Sequence, residues 1–201
     1  NITFEKIHFK PFTTLVLKNT LIIDKHPATD PTDSTSAQID TFFRAGYIIA
    51  KVSLNGLFNQ ESIKIDRAYV GNAQMNLVLE DSNNPRQNKY NNLSRIFGLQ
   101  KKEVRTEPKP DEIFHIRDVE IKDMGFALIN KSGSKTPYHG EINWNDLDIK
   151  GINLIAKGLR FKDGIMYGEA EHLSFREKTG FTVHEMSGKT RVGRGKTIIE
   201  D

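Results

Sequence analysis

One six-residue pattern, apolar-polar-polar-apolar-polar-apolar, recurs four times between Ile116 and Phe175. Its copies are Ile116/Val119/Ile121, Trp144/Leu147/Ile149, Ala156/Leu159/Phe161 and Ala170/Leu173/Phe175, joined by Phe4/Ile7/Phe9 and a looser Ile65/Ala68/Val70. A regular strand alternates every two residues. A step of three followed by a step of two predicts a strand in which one extra residue bulges before alternation resumes. At 37% apolar composition, chance places fewer than about one strict copy in that window.

The same patterning predicts strands at 2–9, 14–24 and 45–54, and a strand pair at 62–70 and 73–80 around Gly71 and Asn72. Further strands are expected at 113–121, 124–130, 138–149, 152–163, 165–175, 180–186 and 189–199, with breaks at Gly133, Gly151, Gly164, Gly180 and Gly188. Residues 39–43 suit a brief helical turn. Leu93, Ile96, Phe97 and Leu99 have the spacing of one short amphipathic helix ending at Gly98, placed to plug an open end of a sheet. The Pro- and Asp-bearing stretch 26–38 and the charged stretch 101–111, with Pro108 and Pro110, read as flexible. Many strands joined by tight turns argue for a mostly β, antiparallel meander. An offset of 51 residues lays Ile65, Ala68, Val70, Met75 and Leu77 over Ile116, Val119, Ile121, Phe126 and Leu128. Two copies of a strand-turn-strand unit explain this, and so does a meander that buries one face.

Twenty-nine basic and 26 acidic side chains leave +3, and they are interspersed, which is no footprint for nucleic acid or a membrane surface. Without cysteine there is no disulfide framework, thiol nucleophile or cysteine zinc site. No apolar run approaches the roughly 20 residues of a membrane helix. A strand pattern at each end of the chain suggests a soluble segment of a longer protein.

Little here points to catalysis. The six histidines are scattered without a ligand motif, and Asp24, His26, Asp30 and Asp33 sit in a Pro-rich loop of the kind that is usually solvated. Gly195-Lys196-Thr197 lacks the glycine that a phosphate loop needs at position 190, and Gly193 and Gly195 read instead as bends in a strand with Arg191, Arg194 and Lys196 on its wet face. No Gly-x-Ser-x-Gly elbow or acid/base carboxylate pair stands out. The expectation is a non-enzymatic chain with no cofactor and no metal. The apolar side chains of the bulged strands have two readings, a sealed core or the inner face of a sheet that curls without closing and holds acyl chains. Trp144 faces the same choice.

Five phrases carry a resemblance: LVLKNTLIID at 15–24, AKVSLNGLF at 50–58, FHIRDVEIKD at 114–123, INWNDLDI at 142–149 and LSFREKTGF at 173–181. Together they resemble the AsmA-like group of envelope proteins, and within it the Bacteroidetes-type TamB (translocation and assembly module) family. The resemblance spans nearly the whole chain and rests on degenerate β patterns, so it brings no catalytic residues. It implies a periplasmic segment of a protein held in the inner membrane by an N-terminal helix outside this sequence. It further implies an elongated, curled, taco-like β-groove. Phospholipid passage toward the outer membrane, or help in assembling outer-membrane barrels, is the implied role. Lipid acyl chains, outer-membrane protein strands and an outer-membrane partner protein are the implied contacts.

The expected organisation is a first groove segment at 1–100 with the short helix near 92–98, a charged linker at 101–112, and a meander at 113–201 continuing the same sheet. Expected groove-lining residues are Ile65, Val70, Ile116, Val119, Ile121, Trp144, Leu147, Ile149, Leu159, Phe161, Leu173 and Phe175, with the inward face of each bulge left open. A closed β-sandwich that serves as an interaction module, and a carbohydrate-binding or carbohydrate-active β domain, are the rival readings.

Overall fold

The computed structural model describes residues 1–10, 13–26, 38–52, 63–79, 91–96, 112–131, 141–162, 165–193 and 196–200. The strands, in chain order, are β1 (Ile2–Thr3), β2 (Lys6–Lys10), β3 (Thr14–His26), β4 (Gln38–Val52), β5 (Ile63–Leu79), β6 (Glu112–Asn130), β7 (Asp146–Lys162), β8 (Ile165–Glu177), β9 (Thr182–Gly193) and β10 (Lys196–Glu200). One helix, α1 (Asn92–Ile96), stands between β5 and β6. All ten strands belong to one sheet in the order β1-β3-β4-β5-β6-β7-β8-β9-β10, with β2 continuing the β1 edge along β3. The sheet is open and curled, the second of the two readings that the patterning left open.

Neighbouring strands pair antiparallel except β5 and β6, which run parallel. One parallel pair in a mostly antiparallel sheet fits the expected fold class and interrupts the meander, because a parallel neighbour requires a crossover and cannot be reached by a tight turn. Both halves of the chain thus join one sheet across β5 and β6.

Several expected breaks are interior positions of long strands. The pairs at 62–70/73–80, 113–121/124–130 and 180–186/189–199 are largely continuous as β5, β6 and β9. The reason is visible in the backbone. Asn19, Asn72, Asp123 and Gly151 have φ of 49°, 51°, 53° and 62°, left-handed values that also build turns. Asn19, Asn72 and Asp123 lie at one level across the sheet, and Gly151 lies about two residues from it. Thr20↔Ala45 and Ala45↔Ala73 put Asn19 and Asn72 on either side of Gly46, and Ala73↔Met124 brings Asp123 beside Asn72. Gly46 and Asn72 lie in close register, an added Cβ at Gly46 reaching ordinary contact with the Asn72 Cβ at 3.4 Å. A second line of irregularities crosses at Lys51/Val52, Ile65–Ala68, Ile116–Val119 and Lys157/Arg160, where Gly158 has φ of 60°. These two lines are the bulges that the three-then-two spacing encodes. They bend the strands and keep apolar residues on the same face.

Other boundaries shift as well. Residues 39–43 are strand rather than helix, and β7 begins at Asp146, so 141–145 are not strand. β9 and β10 form a hairpin with Gly193 opposite Lys196, where one strand was expected at 189–199. Residues 27–37, 97–111 and 132–140 lie outside the described residues, and with them the two flexible stretches and the helix end at Gly98.

The helix sits at one end of the sheet, touching β3 and β5, the two strands that flank β4. Asn92 is fully buried there. Its Oδ1 accepts from the Val78 and Leu93 amides, each at 3.0 Å, and its Nδ2 donates to the Asn76 carbonyl at 2.7 Å. The β4 ladder on β5 ends at Phe43↔Met75, so Asn92 supplies the hydrogen bonds that a continuing strand would give. Arg95 binds Asp24 of β3 through Nε at 2.9 Å.

Candidate functional site

Pairing registers assign a face to each side chain, because directly opposed residues point the same way. One row crosses eight strands with no polar member: Ile7, Leu17, Ile48, Val70, Ile121, Leu154, Leu173 and Met186. Beside it runs a row of mostly small residues: Phe9, Leu15, Ala50, Ala68, Val119, Ala156, Ala170 and Gly188. A further row, Val52, Ile65, Ile116 and Leu159, flanks the small one on its other side. Tall rows on either side of a short one make a shallow trough that crosses the strands. Val119, Ala156 and Ala170 on its floor are buried by these neighbours.

Eleven of the twelve expected lining residues share this apolar face: Ile65, Val70, Ile116, Val119, Ile121, Leu147, Ile149, Leu159, Phe161, Leu173 and Phe175. Phe161 stacks on Phe114, with ring centroids 6.1 Å apart. Most of the face is half-buried, although among the described residues no second sheet packs on it.

Trp144 is the exception. It lies in the turn before β7 and is 72% exposed, so it is neither a core anchor nor a member of the strand face. Asn143 fastens that turn. Its Oδ1 accepts from the Asn145 amide at 3.0 Å, its carbonyl accepts from the Asp146 amide at 3.0 Å, and Asn145 is tied to Asn130 of β6. An Asx turn satisfies the same local pattern that reads as a bulged strand.

The opposite face is mostly charged, with one row that carries Val16, Ile49, Tyr69 and Ile155. One of its rows alternates in sign over five strands: Asp118, Lys157, Glu169, Lys189 and Glu200. Lys157 also holds Glu171, whose hydrogen bond and charge raise the lysine pKa.

A buried carboxylate that the patterning did not single out ends the apolar face. Glu177, opposite Ile149, is 2% exposed. It accepts hydrogen bonds from the Thr179 amide at 2.7 Å, the Thr179 hydroxyl at 2.5 Å and the Asp148 amide at 3.4 Å. Burial pushes its pKa up, and these hydrogen bonds, with one from the Lys178 backbone, outweigh burial and hold it below the ordinary value. All but the Asp148 amide, which comes from β7, belong to the β8–β9 turn, so its task is to fix that hairpin and tie it to β7.

Among the described residues no three His, Cys, Asp or Glu side chains converge as metal ligands, and no helix is long and apolar enough to cross a membrane. Asp24 of the acidic loop cluster is engaged by Arg95, while Asp30 and Asp33 lie outside the described residues. Comparison with known proteins finds no family model that matches the chain, and no curated protein matches it.

Proposed function

We propose that this chain is a groove segment of a periplasmic, inner-membrane-anchored protein of the AsmA-like/TamB type, and that its apolar face shields lipid acyl chains in transit toward the outer membrane. The observation that carries this reading is the eight-strand row from Ile7 to Met186, apolar throughout and facing no second layer among the described residues. Seven strand spacings of about 4.8 Å give a path of roughly 34 Å. One leaflet of a bilayer is about 15 Å of hydrocarbon, so the trough is long enough for two acyl chains end to end. The same face suits the apolar strands of an outer-membrane barrel in assembly, which is the second cargo the sequence resemblance suggests. The closed-sandwich reading needs a second sheet, and the described residues form one. The carbohydrate reading calls for a buried carboxylate pair in a cleft, and the two buried carboxylates among the described residues are separate, Glu177 bound to the Thr179 and Asp148 amides and Asp24 to Arg95.

The test is native mass spectrometry after incubation with phospholipid vesicles, comparing the parent with folded Ile121→Asp and Phe161→Asp variants. Lipid adducts on the parent that the variants lose support the groove. A parent without adducts, with variants that unfold, contradicts it.

A further inference from the structure

The polar face carries a second feature, independent of the lipid reading because it lies on the other side of the sheet. Along one row the pairings place His115, Arg160, Tyr167 and Arg191 side by side on β6, β7, β8 and β9. No carboxylate belongs to that stretch of the row, in contrast to the sign-alternating row next to it. The Arg160 guanidinium lies over the Tyr167 ring at 5.1 Å from its centroid, which holds the cation in place without neutralising it. Among the described residues neither Arg160 nor Lys189 forms an ion pair with a carboxylate. Arg191 is shared with Glu200 at 3.3 Å.

Between the two rows the surface sinks into a cleft of about 380 Å³, lined by these residues with Lys157, Lys189 and the backbone of Gly158 and Gly168. Its volume falls in the range of small-ligand sites, yet charged groups line it where such sites are normally apolar. Four cations, Lys157, Arg160, Lys189 and Arg191, line it with two carboxylates, Glu169 and Glu200, and Lys157 is also bound to Glu171 beside it. Gly158, with its left-handed φ, leaves backbone open at the cleft wall. Arg160 and Arg191 are two strands apart, about 10 Å at the backbone, and guanidinium forks favour the paired oxygens of a phosphate.

We infer that this cleft binds a phosphate-type anion, with Arg160 and Arg191 as the two clamps. Inorganic phosphate, pyrophosphate or a phosphomonoester headgroup all supply the chemistry, and experiment distinguishes the sources.

Pyrophosphate is titrated into ¹⁵N-labelled protein at low salt. The expected shifts centre on the amides of Gly158, Arg160 and Gly168, and Arg160→Gln and Arg191→Gln each weaken binding by about tenfold or more, the loss of one charge-assisted contact. Lys150→Gln, on the same face away from the cleft, leaves the affinity unchanged, and Arg160→Lys recovers only part of it. A parallel arm floats the protein with vesicles of phosphatidic acid or of phosphatidylcholine. Binding to phosphatidic acid that Arg160→Gln removes assigns the site to a headgroup, and pyrophosphate binding without it assigns a soluble anion. Shifts spread over all lysines and arginines, or an Arg160→Gln protein that binds like the parent, overturn the site.

Discussion

Val70 and Ile121 lie 51 residues apart in the chain and side by side in the sheet, paired directly on the parallel strands β5 and β6. The same offset relates Ile65 to Ile116, Ala68 to Val119, Met75 to Phe126 and Leu77 to Leu128, and each of those pairs is also a register partner. The bulges of the two strands therefore coincide, and the apolar face passes from one half of the chain to the other without a step. A one-residue slip would turn one strand's whole apolar set to the wrong side, which is why both strands place the extra residue at the same level.

The line of left-handed residues makes a prediction about that bend. Asn72→Val forces a β-branched side chain into φ near 51°, at an expected cost of about 1–2 kcal/mol. Asn72→Gly is expected to leave stability within about 0.5 kcal/mol. Urea midpoints with unchanged slopes check both, and an Asn72→Val protein as stable as the parent contradicts the assignment.

Asn92 stands in for a missing strand. Asn92→Ala leaves the Val78 amide and the Asn76 carbonyl without their partner, at an expected cost of about 2–3 kcal/mol. Hydrogen exchange at the Val78 amide should accelerate while exchange in β7 and β8 stays near parent values. Equal acceleration across the sheet would mean that the residue serves global stability and not this end.

Glu177 predicts a pH dependence. Its folded pKa is depressed, so its stabilisation is present above the ordinary carboxyl pKa of about 4.3 and is lost as pH falls through the lower folded value. Near pH 7, Glu177→Gln is expected to cost about 1–3 kcal/mol. The gap between parent and variant Tm should close as pH drops below about 4. A gap that persists unchanged in acid would assign the effect to shape and not to charge.

Trp144, the one tryptophan, should emit as a water-exposed indole. Trp144→Ala is expected to change stability by no more than about 0.5 kcal/mol. A large loss of stability, or the blue-shifted emission of a buried ring, would put it back on the sheet face.

The legible part of the fold was the face. Period-two alternation with triple steps placed Ile116, Val119 and Ile121, and the partners Leu159 and Ala156 of the first two, because face selection is a local consequence of the pleat. Strand continuity was not legible. Asn72, Asp123 and Gly151 adopt the conformation of a turn, and whether such a residue ends a strand or bends it depends on hydrogen bonds to neighbours remote in sequence. The parallel β5–β6 pair was hidden for the same reason, although its register was already present as the 51-residue offset. Glu177 gave no signal, since a lone Glu before a Lys-Thr-Gly turn looks like any exposed acid until the Thr179 and Asp148 amides are seen to converge on it.

The most direct test of the account places a photo-crosslinking residue at Ile121 or Leu154 on the apolar face, and at Glu120 or Ile155 one position away on the other face, and exposes each protein to radiolabelled phospholipid. Lipid adducts are expected from positions 121 and 154 and none above background from 120 and 155. Adducts of equal yield from both faces, or from neither, would contradict it.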